Sequence, residues 1–260
     1  MEFENLIYEK QDRVALLTIN RPEKRNALNR ALRLEMERVQ EMVARDPEVG
    51  VLVITGAGDK AFAAGSDLEE LSRMEPLEVY HFLNTLAQRL YTRFEELDLP
   101  VIALVNGLCL GAGNEIALAC DIRIASDQAR FGQPEINLGI IPGSGATQRL
   151  SRLVGTGKAR ELIFTGDIID AQEALAIGLV NRVVPHQELY DQGMALARRI
   201  AAKSAFALKM AKRSLRMAQE VGLTPGLGFE ALAETACFNH PDHEEGMRAF
   251  FQKRKPTFNR

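Results

Sequence analysis

The chain has 260 residues, with 32 Lys and Arg against 35 Asp and Glu, giving a net charge of −3. Hydrophobic residues at 46% and charged residues at 26% match an ordinary globular protein, exclude a disordered chain and give no sign of phosphate-backbone binding. At about 150 residues per domain, one large α/β domain or a core with an appendage is expected.

In chain order, the opening MEFENLIYEKQDR is acidic and has no apolar h-region, so it does not read as a signal peptide. Val14 to Ile19 is a β-rich run closed by Asn20-Arg21-Pro22. From Asn29 the pattern turns helical, with Leu28, Leu32, Met36, Val39 and Val43 on one face. Asp46-Pro47 ends that helix. Val49 to Thr55 reads as a buried strand, and a long helical stretch is expected from Pro76 to Leu97. Val101 to Val105 is a second buried strand and the longest clean apolar run near the middle, well short of the ~20 residues that span a bilayer. A glycine-rich turn leads into a short helix, Asn114 to Cys120, and Ile122 to Ser126 is strand-like. Apolar strands alternating with helices imply α/β architecture with largely parallel pairing. Beyond about residue 186 the chain reads as all-helical, an appendage whose apolar face needs a partner: its own core or another subunit. Cys109, Cys120 and Cys237 are odd in number and lack a C-x-x-C, which fits a reducing, cytoplasmic setting with no disulfide frame or zinc site.

Gly111-Ala112-Gly113 follows a strand, but Ile116 stands where a dinucleotide fingerprint needs its third glycine. Gly155-Thr156-Gly157-Lys158 lacks P-loop spacing, and no G-x-S-x-G elbow is present. His240 and His243 flank Pro241-Asp242, read as a solvated turn rather than a metal-binding helical face. More specific is Leu110 to Glu115, where small residues join a strand to a helix start with free N–H groups. Glu115 there is surrounded by apolar residues, and Glu135 lies on a proline-fixed turn, Phe131 to Glu135. Ala61 to Leu68 is another small-residue loop, able to offer a second backbone donor. Two carboxylates and two donors suit proton transfer at an activated carbonyl. A purely structural alternative stays open, in which Glu115 neutralises a helix start and Glu135 forms a salt bridge.

Taken together, residues 61–68, 105–126 and 131–150 resemble the enoyl-CoA hydratase/isomerase, or crotonase, superfamily, and 20–29, 164–184 and 245–258 extend the resemblance over nearly the whole chain. It implies a spiral of ββα units over residues 1–190 and a helical region, 191–260, for trimerisation and for closing the CoA site. It implies an acyl-CoA thioester substrate, no metal, no separate cofactor, and a trimer or dimer of trimers. The oxyanion donors carry over to the N–H groups of Ser66 and Ala112. Glu115 and Glu135 match the two glutamates of the hydratases, which add water across the C2=C3 bond of a trans-2-enoyl-CoA. Substrate and CoA contacts carry over to Arg25, Ala27, Leu28, Ala64, Asp67, Leu68, Gly111, Asn114, Phe250 and Lys253. The sequence departs at Asn114, where hydratases often have a small residue or Cys, and at Glu69, where some members have Lys. Rival readings are another acyl-CoA reaction of the same superfamily or RNA binding through Lys209, Lys212, Arg213 and Arg216.

Overall fold

The computed structural model describes residues 3–258. A hairpin of β1 (Leu6–Gln11) and β2 (Val14–Ile19) leads into α1 (Arg30–Arg45). Two strands followed by helix then occur three times. The first turn is β3 (Val51–Gly56), β4 (Ala61–Ala63), α2 (Leu68–Leu71), α3 (Pro76–Phe82) and α4 (Gln88–Glu96). The second is β5 (Val101–Val105), β6 (Leu108–Leu110) and α5 (Ala112–Ala119). The third is β7 (Ile122–Ser126), β8 (Arg130–Gly132), α6 (Ala146–Val154) and α7 (Thr156–Thr165). Next come β9 (Ile168–Asp170), α8 (Ala171–Ala176) and β10 (Arg182–Val184). The chain continues through α9 (Leu189–Ala201), α10 (Ala205–Glu220), α11 (Leu223–Phe238) and α12 (Pro241–Phe251).

The first strand of each pair enters a six-stranded sheet of order β1-β2-β3-β5-β7-β10, and the second enters a four-stranded sheet of order β4-β6-β8-β9. Pairing is parallel except for β1 with β2 and β8 with β9. This is the expected spiral of ββα units. Alternate side chains of the large sheet serve two cores. Leu17, Ile54, Ala103 and Val105 pack with Leu32 and Met36 of α1, Tyr91 of α4 and Ile116 of α5. Val14, Val53, Ile102 and Leu104 pack against Met194 and Ala197 of α9. Burial on both faces is why these strands read as continuous apolar runs. Asn29 caps α1 as its position suggested, its side chain accepting from Leu32 N at 2.9 Å.

The short second sheet escaped the residue-level reading, because three-residue strands made of AFA, LCL and RFG carry no periodicity of their own. So did β1, an edge strand in which only Leu6 is buried. The stretch from Pro76 is helical as expected, with a π-helical segment at Leu83–Ala87 between α3 and α4. The solvated turn expected at His240 and His243 is replaced by a helix start. Pro241 occupies the first turn of α12, where its missing N–H costs nothing. His240 Nδ1 accepts from Asp242 N at 3.2 Å, and its ring stacks on Phe206 at 4.5 Å.

The basic stripe of α10 is spent on the core. Lys209 and Arg213 pair with Asp98 at 2.7 and 2.8 Å, and Arg216 pairs with Glu96 at 3.2 Å. Lys212 pairs with Asp121 at 2.8 Å and donates to the carbonyls of Phe94 and Leu99. Among the described residues, no helix is long and apolar enough to cross a membrane, and no cluster of three or more His, Cys, Asp or Glu side chains has the arrangement of a metal site.

Candidate active site

A cleft of about 2030 Å³ opens beside the second sheet, with Ala64, Gly65, Ser66 and Leu68 on one wall, Gly111, Ala112 and Glu115 at its base, and Glu135 opposite. The two small-residue stretches meet because α5 starts against β4. A Cβ on Gly113 would come within 2.1 Å of the Ala63 carbonyl oxygen, so only glycine permits this approach. Gly111, at φ +50°, makes the turn into α5, and a Cβ there would sit 3.0 Å from Glu135 Oε1.

Ser66 and Ala112 both line this space. Leu28 and Ser66 form an isolated parallel bridge, in which Leu28 N donates to Gly65 O at 2.8 Å and Asp67 N donates to Leu28 O at 3.0 Å. That pairing turns the N–H of Ser66 away from Leu28. Ala112 is the first residue of α5, and the first intrahelical bond there is Glu115 N to Gly111 O. The Ala112 N–H is therefore one of the unpaired donors of a helix start, at its positive end.

Glu115 is 1% exposed, and its Oε1 accepts from Ser144 N at 2.8 Å and Ala146 N at 3.0 Å. It thus lies at the N-terminus of α6, so the structural alternative for this residue holds in part: the carboxylate neutralises a helix start and also lines the cleft. Burial pushes its pKa above the ordinary carboxylate value, and the two N–H donors pull the other way. Glu135 is the second residue of the 3-10 turn Pro134–Leu138. Burial, reinforced by the charge of Glu115, raises it to about 7. Instead of a salt bridge, its neighbour is the fully buried Gln133, whose amide, oriented to suit its surroundings, donates to Glu135 Oε1 at 3.2 Å and to Gly111 O at 3.3 Å.

The remaining sequence candidates divide. Ala64 and Leu68 line the cleft. Ala64 N donates to Arg25 O at 3.1 Å, which places exposed Arg25 on the adjoining rim. Ala27 O accepts from Arg21, and Asp67 is paired with Arg21 at 3.2 Å. Leu28 has its N–H and its carbonyl engaged within the protein. Asn114, Phe250 and Lys253 are not among the residues lining the cleft. Asn114 is 2% exposed with Oδ1 unpartnered, whereas Phe250 on α12 is 76% exposed. Glu69 makes a surface pair with Arg73 at 2.6 Å.

Four residues that order this site were not among the candidates picked out from the sequence. Ser144 and Gln133 touch the glutamates. Arg149 holds the Ser144 carbonyl at 3.0 Å and a two-pronged pair with Glu95 at 2.7 and 2.9 Å. Buried Arg33 donates to Ser66 Oγ at 2.8 Å. Gly143-Ser144-Gly145 before α6 carries the same small-residue signal as Gly111 to Gly113, so Ser144 was findable. Arg33 and Gln40 are buried two helical turns apart on α1, but the polar flank of an apolar stripe ordinarily reads as solvent-facing.

The enoyl-CoA hydratase/isomerase family model matches residues 9–260. The chain belongs to this family. A short-chain-enoyl-CoA hydratase of Clostridium acetobutylicum is 47% identical over 98% of this chain and 97% of its own. A crotonyl-CoA hydratase of Syntrophomonas wolfei is 44% identical over 99% of both chains. The crystal structure of an enoyl-CoA hydratase from Bacillus anthracis superposes with a TM-score of 0.96 at 38% identity, over 98% of this chain and 99% of that one. The spiral of ββα units is thus the crotonase fold, with two glutamates on the cleft of an enoyl-CoA hydratase/isomerase family member.

Proposed function

We propose that this protein is an enoyl-CoA hydratase, a hydro-lyase that adds water across the C2=C3 bond of a trans-2-enoyl-CoA to give a 3-hydroxyacyl-CoA. The observation that carries this reading is the pair Glu115 and Glu135 lining one cleft with Ser66 and Ala112, whose N–H groups are the proposed oxyanion donors. The thioester oxygen sits between those two donors, which stabilise the enolate formed on attack. A water lies between the carboxyl groups. Glu115 accepts a proton from it as its oxygen bonds to C3, and Glu135 delivers a proton to C2. This division follows from the surroundings. Burial raises both carboxyl groups above the ordinary value, but Glu115 alone accepts from two backbone N–H groups, which work toward its ionised form, whereas Glu135, raised to about 7, is suited to hold the proton near neutral pH.

The reaction uses no metal or separate cofactor, since the thioester and the two carboxyl groups supply the electrophile and the proton relay. Arg25 on the rim is the proposed anchor for CoA phosphates, with main-chain contacts from Ala27 and Ala64. Leu223, Leu232, Phe250 and Phe251 are 79, 72, 76 and 73% exposed, an apolar surface that supports a homo-oligomer, trimer or dimer of trimers. Phe250 and Lys253 would reach CoA across such an interface. Residues 1–190 would then carry the site and 191–260 the assembly. Free Cys109, Cys120 and Cys237 suit a reducing cytoplasm.

The test follows the absorbance of the conjugated thioester when crotonyl-CoA meets the purified protein, beside Glu115→Gln and Glu135→Gln. Rapid loss in the wild type and large rate losses in both variants support the reading. A folded wild type that binds CoA esters but hydrates no trans-2-enoyl-CoA rejects it in favour of another acyl-CoA reaction. Sedimentation equilibrium checks the oligomer.

A further inference from the structure

Arg33 is the largest of the fully buried side chains, at 1% exposure. Its Nη1 donates to the Leu28 carbonyl and its Nη2 to Ser66 Oγ. The Phe82 ring covers the guanidinium, with its centroid 4.9 Å from Cζ. Its Nε has no hydrogen-bond partner, and beside it lies the fully buried Tyr91, whose hydroxyl burial pushes up in pKa while the guanidinium works against that shift. Among the described residues no carboxylate lies within 4.0 Å of it. A buried cation with no counter-ion is expensive, and this one is bonded to both sides of the bridge that orients the Ser66 N–H.

We infer that Arg33 is a positioning residue of the oxyanion site, fixing the Ser66 donor through the Ser66 hydroxyl and keeping behind it a buried positive charge with no ion-pair partner in contact. The inference rests on the hydratase reading above. Phe82 lines the cleft and Arg33 does not, so the guanidinium acts through the donor and through its field rather than by touching substrate. With the neutral thioester bound, the charge has no partner in contact, and Glu115 acts on it only at longer range. As negative charge gathers on the thioester oxygen, the partner arrives. The interaction therefore strengthens toward the transition state and belongs in kcat rather than KM. The same charge favours ionised Glu115. The titratable and charged groups facing Glu115 are Arg33 from α1, Tyr91 from α4 and Glu135 from the 3-10 turn, with Arg149 of α6 facing Tyr91.

The experiment compares Arg33→Met, Arg33→Lys and Ser66→Ala with the wild type in the full-length protein. It reads kcat and KM for crotonyl-CoA across pH, the thermal midpoint, and the carbonyl stretch of bound butyryl-CoA labelled with carbon-13 at the thioester. Arg33→Met is expected to lower kcat about 10- to 100-fold, as misplacement of a reacting group does, with KM little changed. The ascending limb of its pH profile moves to higher pH, because Glu115 loses a stabilising cation. The carbonyl band moves back toward its solution frequency. Arg33→Lys restores the pH midpoint and part of kcat. A folded Arg33→Met with wild-type kcat, pH profile and carbonyl band overturns the inference. A kcat loss that only tracks the folded fraction also overturns it. If both arginine variants fail to fold, Ser66→Ala decides: a drop in kcat at unchanged KM supports the inference, and an unchanged kcat ends it. A wild type that hydrates no enoyl-CoA but shifts the carbonyl band defeats the hydratase reading alone, and the band in Arg33→Met then decides the role of Arg33.

Discussion

Gly113 of α5 packs onto the main chain of Ala63 in β4 with no room for a single methyl group, the Ala63 carbonyl oxygen lying 2.1 Å from where a Cβ would stand. This contact sets the distance between the loop that carries Ser66 and the helix start that carries Ala112. Gly113→Ala must push the two apart. Overpacking of this kind costs about 1–3 kcal/mol, and kcat for enoyl-CoA hydration should fall about 100-fold as the donors lose register. Urea unfolding and steady-state kinetics on the same preparation check both.

Glu115→Gln and Glu135→Gln each remove one end of the proton relay while keeping the shape of the side chain. Each should lower kcat about 10²- to 10⁴-fold. Glu115→Gln should also gain stability at neutral pH, because burial penalises the carboxylate more than the Ser144 and Ala146 N–H groups favour it, and the carboxamide oxygen can still accept from both. Thermal midpoints beside the rate constants separate the two effects.

Glu135 makes stability depend on pH in an unusual direction. Its pKa in the folded protein is about 7, whereas the unfolded chain has an ordinary glutamate. Between those values the folded state binds more protons than the unfolded state, so this group's contribution falls as pH rises through the window and is fully lost above about 7. Glu135→Gln should abolish that part of the pH dependence and raise the thermal midpoint more at pH 8 than at pH 4. Calorimetry at the two pH values tests it, and equal shifts would contradict the burial argument.

The α10 clamp should be uneven. The Lys212 side chain is 10% exposed, and its ammonium serves Asp121 and two buried-side carbonyls. Lys212→Met should cost about 1–3 kcal/mol, because partners are left unpaired. Arg213 is 51% exposed and its pair with Asp98 is solvated, so Arg213→Ala should cost under about 0.5 kcal/mol. Chemical unfolding curves of the two variants provide the comparison.

The large sheet was readable because Val51–Gly56 and Val101–Val105 are buried on both faces and so are apolar at nearly every position. The small sheet was not, since β4, β6 and β8 take their pairing from neighbours distant in sequence. Glu115 and Glu135 stood out as carboxylates in apolar stretches. Arg33 could not, since nothing local distinguishes a buried arginine from one on a solvated helix face.

By itself, the sequence determined the α/β class, the helical C-terminal third, the two small-residue loops and the two glutamates, because periodicity, glycine and isolated charge are local properties. Only the tertiary structure decided that Glu115 is held by the N-terminus of α6, that the basic stripe of α10 is neutralised against Asp98 and Asp121, and that Arg33 lies beneath Phe82 on the Ser66 loop. Each of these depends on which distant groups meet a charge once water is excluded, and desolvation has no signature along the chain until the chain is folded.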